Sequence, residues 1–151
     1  IVITKTFSKA FGLAGLRVGW AYCPKKIAEK LDILKVPFSV NTAAQMAAIS
    51  ALEDDDHINF SVEHNSKWKK ILNDCFSEVG LIVHPSQCNF ILVEFLESSK
   101  FSAKEAYHLL SSKGIIVREM EEYNLPNCLR ITIGKEEANL LLIETVNAFK
   151  K

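Results

Sequence analysis

The sequence predicts an α/β chain in two parts. Residues 1–52 read as the last portion of a large sheet-bearing lobe, and residues 53–151 as an interdomain helix plus a small α+β lobe. Three observations carry this reading. An apolar opening stretch leads into a glycine-punctuated loop and then a second apolar stretch. A long helical pattern follows, with apolar residues at three- and four-residue steps. After it, short apolar runs and helical patterns alternate as β-β-α-β-β-α, which describes a short sheet covered by helices on one face.

Ile1-Val2-Ile3-Thr4 reads as a core strand and Val18-Gly19-Trp20-Ala21-Tyr22 as a second. Pro24 ends the latter, and a short helix follows with Ile27, Leu31 and Leu34 on one face. Val36-Pro37-Phe38-Ser39-Val40-Asn41 is a loop, since proline disfavours helix in the residue before it. Thr42 and Gln45 have the spacing of a capping box opening an alanine-rich helix to about Leu52. Asp54-Asp55-Asp56 places negative charge at the start of the longest helix, which suits its dipole. Its stripe is Ile58, Val62, Asn65, Trp68, Leu72, Phe76 and Val79, and Gly80 closes it.

Leu81-Ile82-Val83 and residues 89–95 read as strands around a turn at Pro85-Ser86. Ser102 and Glu105 form a second capping box, with Ala103, Ala106 and Leu110 on one face until Gly114. Ile115-Ile116-Val117-Arg118 and Leu129-Arg130-Ile131-Thr132-Ile133 are strands, and a last helix carries Leu142, Val146 and Phe149.

Hydrophobic content of 48% and charge of 24% are ordinary for a soluble globular protein. Eighteen basic residues balance eighteen acidic ones without a basic stripe, so no electrostatic case exists for nucleic acid or an anionic membrane as partner. No apolar run approaches the roughly 18 residues of a membrane span. Cys23, Cys75, Cys88 and Cys128 show neither Cys-x-x-Cys pairing nor a histidine at metal-ligand spacing. They read as reduced thiols of a cytoplasmic protein, with neither a metal nor a disulfide framework expected. His57, His64, His84 and His108 share no spacing and read as surface or partly packed side chains.

Chemistry concentrates in Thr6-Phe7-Ser8-Lys9-Ala10-Phe11-Gly12-Leu13-Ala14-Gly15-Leu16-Arg17-Val18-Gly19-Trp20. Lysine forms Schiff bases, serine hydroxyls and backbone N–H groups bind phosphate oxygens, and arginine neutralises phosphate charge. Those are the requirements for holding pyridoxal 5′-phosphate. The run resembles the cofactor-attachment site of the class I/II (fold type I) aminotransferases, a pattern close to Ser-Lys-x-Phe/Tyr-Gly-x-x-Gly-x-Arg-x-Gly. Ser8, Lys9, Phe11, Gly12, Gly15, Arg17 and Gly19 match it without departure.

Further stretches resemble the histidinol-phosphate group of that family. Asn127-Cys128-Leu129-Arg130-Ile131-Thr132-Ile133-Gly134 is similar to its Asn-x-Leu-Arg-Ile-Thr-x-Gly stretch. Gly114-Ile115-Ile116-Val117-Arg118 and Cys88-Asn89-Phe90-Ile91-Leu92-Val93 resemble two more, and Pro37-Phe38-Ser39-Val40-Asn41 departs from its loop only at Ser39.

The resemblance implies that Lys9 is the catalytic, cofactor-bearing residue and shuttles a proton between substrate and cofactor. Ser8 and Arg17, with Thr6 as a third contact, would hold the cofactor phosphate. Arg130 would bind the substrate anion and Arg118 the substrate phosphate. The implied reaction moves an amino group between L-glutamate/2-oxoglutarate and histidinol phosphate/imidazole-acetol phosphate, in a cytoplasmic homodimer. The residues expected around the pyridine ring belong to an upstream lobe, so the chain reads as the C-terminal part of a longer enzyme and as a very poor catalyst by itself. An aromatic amino-acid transaminase, a pyridoxal-phosphate-dependent decarboxylase of the same fold and a non-catalytic folding or dimerisation domain remain open.

Overall fold

The computed structural model describes residues 1–96 and 99–147. By contacts the chain forms two compact units, Ile1–Glu63 and His64–Lys151. The boundary falls inside the longest helix, α3 (Asp55–Glu78), and not at its start near residue 53. The helix is continuous there, so the chain itself carries no break at that point.

In the first unit, β1 (Ile3–Thr6) pairs antiparallel with β2 (Gly19–Tyr22), Ile3 opposite Tyr22 and Thr6 opposite Gly19. The strand expected at residues 1–4 therefore starts two residues later, and it is not buried. Every position of both strands is exposed, and Ile1 is wholly so. The helices α1 (Lys25–Leu34) and α2 (Thr42–Leu52) lie where the periodicity puts them. The α1 stripe nevertheless remains exposed at Ile27, Leu31 and Leu34. The α2 cap differs from the expected box. Asn41 is the N-cap and accepts from the Ala44 N–H at 2.8 Å, while the Gln45 side chain donates to the Val40 carbonyl. An asparagine in extended conformation caps as well as threonine, and it sits one residue earlier.

The second unit is a four-stranded antiparallel sheet with helices on one face. Its strands are β3 (Ile82–His84), β4 (Phe90–Glu94), β5 (Arg118–Glu119) and β6 (Cys128–Thr132), in spatial order β3-β4-β6-β5. The expected strand over residues 115–118 contracts to Arg118 and Glu119. Alternation decides the two faces. Ile91, Val93, Leu129 and Ile131 point into a core completed by Leu72 and Phe76 of α3, by α4 (Ala103–Ser112) and by α5 (Glu136–Asn147). Ala106 and Leu110 of α4 and Leu142 and Val146 of α5 face it. Phe149, expected on the same stripe, lies outside the described residues. Burying a side chain such as Phe76 contributes about 1.5–3 kcal/mol.

The Ser102–Glu105 capping box forms as expected, with Glu105 accepting from the Ser102 N–H at 2.8 Å. Asn139 is buried and escaped the sequence reading. It exchanges two 2.9 Å hydrogen bonds with the Gly134 backbone, tying the end of β6 to α5. The carbonyl of Gly134 is also 2.8 Å from His64 Nε2 on α3. Asn65, ambiguous in the sequence, sends its Nδ2 towards the Cys88 carbonyl at 3.4 Å.

Candidate active site

The loop between β1 and β2 is built by close backbone approach. Gly19 starts β2 so near β1 that a Cβ there would lie 2.6 Å from the Lys5 carbonyl oxygen, which only glycine avoids. Within the loop the Leu13 N–H donates to the Phe7 carbonyl and the Gly12 N–H to the Lys9 carbonyl. Phe7 is buried, its ring 4.7 Å from that of Phe11, and anchors the loop from below. A short 3-10 turn, Ala14–Leu16, ends at Arg17 in the left-handed region (φ 54°). A non-glycine residue there costs free energy, and such positions cluster at functional sites.

That backbone turn sends the Arg17 guanidinium back across the loop. Its Nη1 donates to the Ala14 carbonyl at 2.7 Å and to Ser8 Oγ at 3.2 Å, while the Ser8 N–H donates to Thr6 Oγ1 at 3.0 Å. Thr6, Ser8 and Arg17 thus converge, and the exposed Lys9 amine is carried on the next residue of the chain. One guanidinium, a hydroxyl and a primary amine form a donor set suited to a phosphorylated aldehyde.

The other two predicted residues lie in the second unit. Arg118 and Arg130 are register partners across β5 and β6, so both lie on the sheet face opposite the helices. Like charges directly opposite one another destabilise a sheet. Arg118 offsets this with Glu122, at 2.9 Å, and lies over the Tyr123 ring at 5.5 Å. The Glu122 hydrogen bond, and after it the carboxylate charge, raises the Arg118 pKa above its ordinary value. Arg130 lies over the Phe90 ring at 5.1 Å, and its buried Nε finds no hydrogen-bond partner among the described residues.

The same sheet face carries a pairing that linear spacing concealed. His84 Nε2 is 2.8 Å from Glu94 Oε2, and Glu94 is the register partner of Cys128. Period two along β4 and β6 places Glu94 and Cys128 on the Arg130 face, but only the register shows that they meet. Among the described residues, no disulfide joins Cys23, Cys75, Cys88 or Cys128.

An antiparallel sheet backed by helices and a strand–loop–strand bearing Lys9 define a class of protein. The chain belongs to the aminotransferase class I and II family, which matches residues 1–146. It is 43% identical over 151 residues to the histidinol-phosphate aminotransferase of Maricaulis maris, covering all of this chain and 42% of that protein. It is 46% identical over 134 residues to the enzyme of that name from Rhodospirillum centenum, covering 89% of this chain and 37% of the relative. Among solved structures, histidinol-phosphate aminotransferase from Sinorhizobium meliloti in complex with pyridoxal-5′-phosphate superposes with a TM-score of 0.85 at 27% identity, covering 97% of this chain and 41% of that one. The α/β fold expected from the sequence is the fold of these enzymes. The chain spans about two fifths of the length of the curated relatives it matches. Among the described residues, no helix is long and apolar enough to cross a membrane.

Proposed function

We propose that this chain supplies the cofactor-attachment loop and the substrate-anion arginines of a pyridoxal-phosphate-dependent histidinol-phosphate aminotransferase. The observation that carries the reading is the loop itself: Arg17 reaches Ser8 Oγ at 3.2 Å, immediately beside the exposed Lys9. The similarity to enzymes named histidinol-phosphate aminotransferase over the whole chain supports the choice of substrate.

When bound, pyridoxal phosphate supplies a conjugated ring that accepts the electrons of the substrate Cα–H bond. Ser8 and Arg17 bind its phosphate, the hydroxyl by donating a hydrogen bond and the guanidinium by neutralising charge. Thr6 holds the Ser8 backbone in place by accepting from its N–H. Lys9 would hold the cofactor through its amine and would carry the proton at substrate Cα. Arg130 presents a planar fork to the α-carboxylate of glutamate in one half-reaction and to the phosphate of histidinol phosphate in the other. Arg118 joins the phosphate by sharing the charge it now gives to Glu122. This engagement of Arg118 is also what favours the aromatic amino-acid transaminase as second reading, because that enzyme needs only Arg130. The complete enzyme is proposed to be a cytoplasmic homodimer acting on these small molecules.

Substrate profiling of the complete enzyme, with glutamate as donor, tests the proposal. The expected result is a kcat/KM for imidazole-acetol phosphate well above that for aromatic 2-oxo acids. A preference for the aromatic acids would transfer the assignment to the second reading.

A further inference from the structure

We infer that His84, Glu94 and Cys128 form a divalent transition-metal site on the outer face of the sheet, suited to zinc. This proposal is independent of the aminotransferase reading. It departs from the expectation drawn from cysteine and histidine spacing, because the three residues come from three different strands and meet only through sheet register.

Their ligand atoms, one from each side chain, all lie within 4.8 Å of one another. His84 Nε2 and Glu94 Oε2 are already 2.8 Å apart, and Glu94 stands directly opposite Cys128 on β6. Donors around a tetrahedral zinc ion, at bond lengths of about 2.0–2.3 Å, are separated by roughly 3.3–3.8 Å. Small side-chain adjustments bring all three to that spacing. A nitrogen, an oxygen and a sulfur form a borderline-soft set that suits zinc and cobalt and disfavours magnesium and calcium.

The surroundings hold the ligands in place. Asn127 Nδ2 donates to Glu94 Oε1 at 3.0 Å, which fixes the carboxylate and turns Oε2 towards His84. An outer hydrogen bond of this kind is what orients a metal ligand. The Cys128 thiol donates to Asn127 Oδ1 at 3.6 Å in the free chain, a bond given up when the sulfur is ligated. Cys128 is buried whereas the His84 side chain is 42% exposed, so an ion can enter from the His84 side and keep its fourth position there.

Ligation replaces the Cys128 thiol proton: Sγ–H releases it to solvent, the imidazole proton resides on Nδ1, and the His84–Glu94 hydrogen bond gives way to two bonds to one ion. The ion ties β3, β4 and β6 together.

The test titrates the chelator-stripped 151-residue chain with cobalt(II) under a phosphine reductant. One cobalt per chain should bind with a thiolate-to-cobalt charge-transfer band, and zinc(II) should displace it. Cys128→Ser should abolish the band although Cys23, Cys75 and Cys88 remain. His84→Gln and Glu94→Gln should each weaken binding by about tenfold or more. These two side chains are partly exposed, so they decide the matter even where Cys128→Ser fails to fold. Absence of the band in the unaltered chain, its survival in Cys128→Ser, or unchanged affinity in both His84→Gln and Glu94→Gln would overturn the site.

Discussion

The two units of this chain use apolar residues in opposite ways. In the second, strands alternate and the inward side chains are sealed: Ile91, Val93, Leu129 and Ile131 are at most 2% exposed. In the first, β1 and β2 are exposed at every position, α1 buries nothing, and Phe38, Leu34 and Ile33 are 97%, 78% and 75% exposed. The difference is one of layers. The sheet of the second unit has four strands and three helices against it, whereas the first unit has a two-stranded ribbon, which is marginal alone. Apolar patches of this kind require a cover, and the residues of the first unit do not supply it. The loop proposed to hold the cofactor is thus carried by the unit with the smaller core, and the arginines proposed to bind substrate by the unit that is well packed.

The largest expected effect tests the loop. In the complete enzyme, Lys9→Ala should lower transamination on the order of 10⁴-fold or more, since it removes both the proposed attachment point and the proposed proton carrier. Borohydride should fix one pyridoxyl group on Lys9 of the unaltered enzyme and none on the variant. Fixation on Lys5 or another residue would relocate the site.

Next come two tests of the packing contrast. Phe76→Ala should cost about 3–5 kcal/mol in denaturant unfolding of this chain. Leu34→Ala should fall within about 0.5 kcal/mol of zero, because that side chain is already in water. Equal costs would erase the contrast. Amide hydrogen exchange should agree, with β1, β2 and α1 exchanging faster than β4 and β6. Uniform strong protection would show that the first unit is as stable as the second.

The two arginines separate at a smaller scale. Arg130→Lys keeps one charge and loses the fork, so kcat/KM should fall for both glutamate and histidinol phosphate by about 1.5–3 kcal/mol, roughly tenfold to a hundredfold. Arg118→Ala should harm histidinol phosphate more than glutamate. Equal losses in steady-state kinetics would leave Arg118 to its contacts with Glu122 and Tyr123.

The smallest effect concerns the α4 cap. Ser102→Ala should cost about 1 kcal/mol. The Ser102 backbone hydrogen bond, then its hydroxyl, lowers the Glu105 pKa, so the stabilisation is complete above the ordinary carboxylate range and is lost as pH falls through the depressed value. Glu105→Gln should remove that part of the acid dependence. An unchanged acid limb of the stability curve would deny the cap its role.

Much of this protein was legible in the chain because local rules suffice for it. Helix periodicity located α1 to α5, glycines placed the ends of α3 and α4, the Ser102–Glu105 box placed the start of α4, and period two put Arg130 and Thr132 opposite Leu129 and Ile131. The family resemblance was legible because the Ser8-to-Gly19 pattern lies in one short loop. Other properties required three dimensions. The exposure of β1 depends on how many layers pack against a strand, which the three apolar residues Ile1, Val2 and Ile3 cannot express. Asn41, in extended conformation, caps α2 where the spacing pointed to Thr42. The Arg118–Arg130 pairing and the meeting of His84, Glu94 and Cys128 exist only through strand register, which joins positions far apart in sequence. The sequence by itself determined the elements and the lysine loop, since both depend on neighbouring residues. The tertiary structure alone decided which side chains share the outer sheet face, because antiparallel pairing couples residues that no linear spacing brings together.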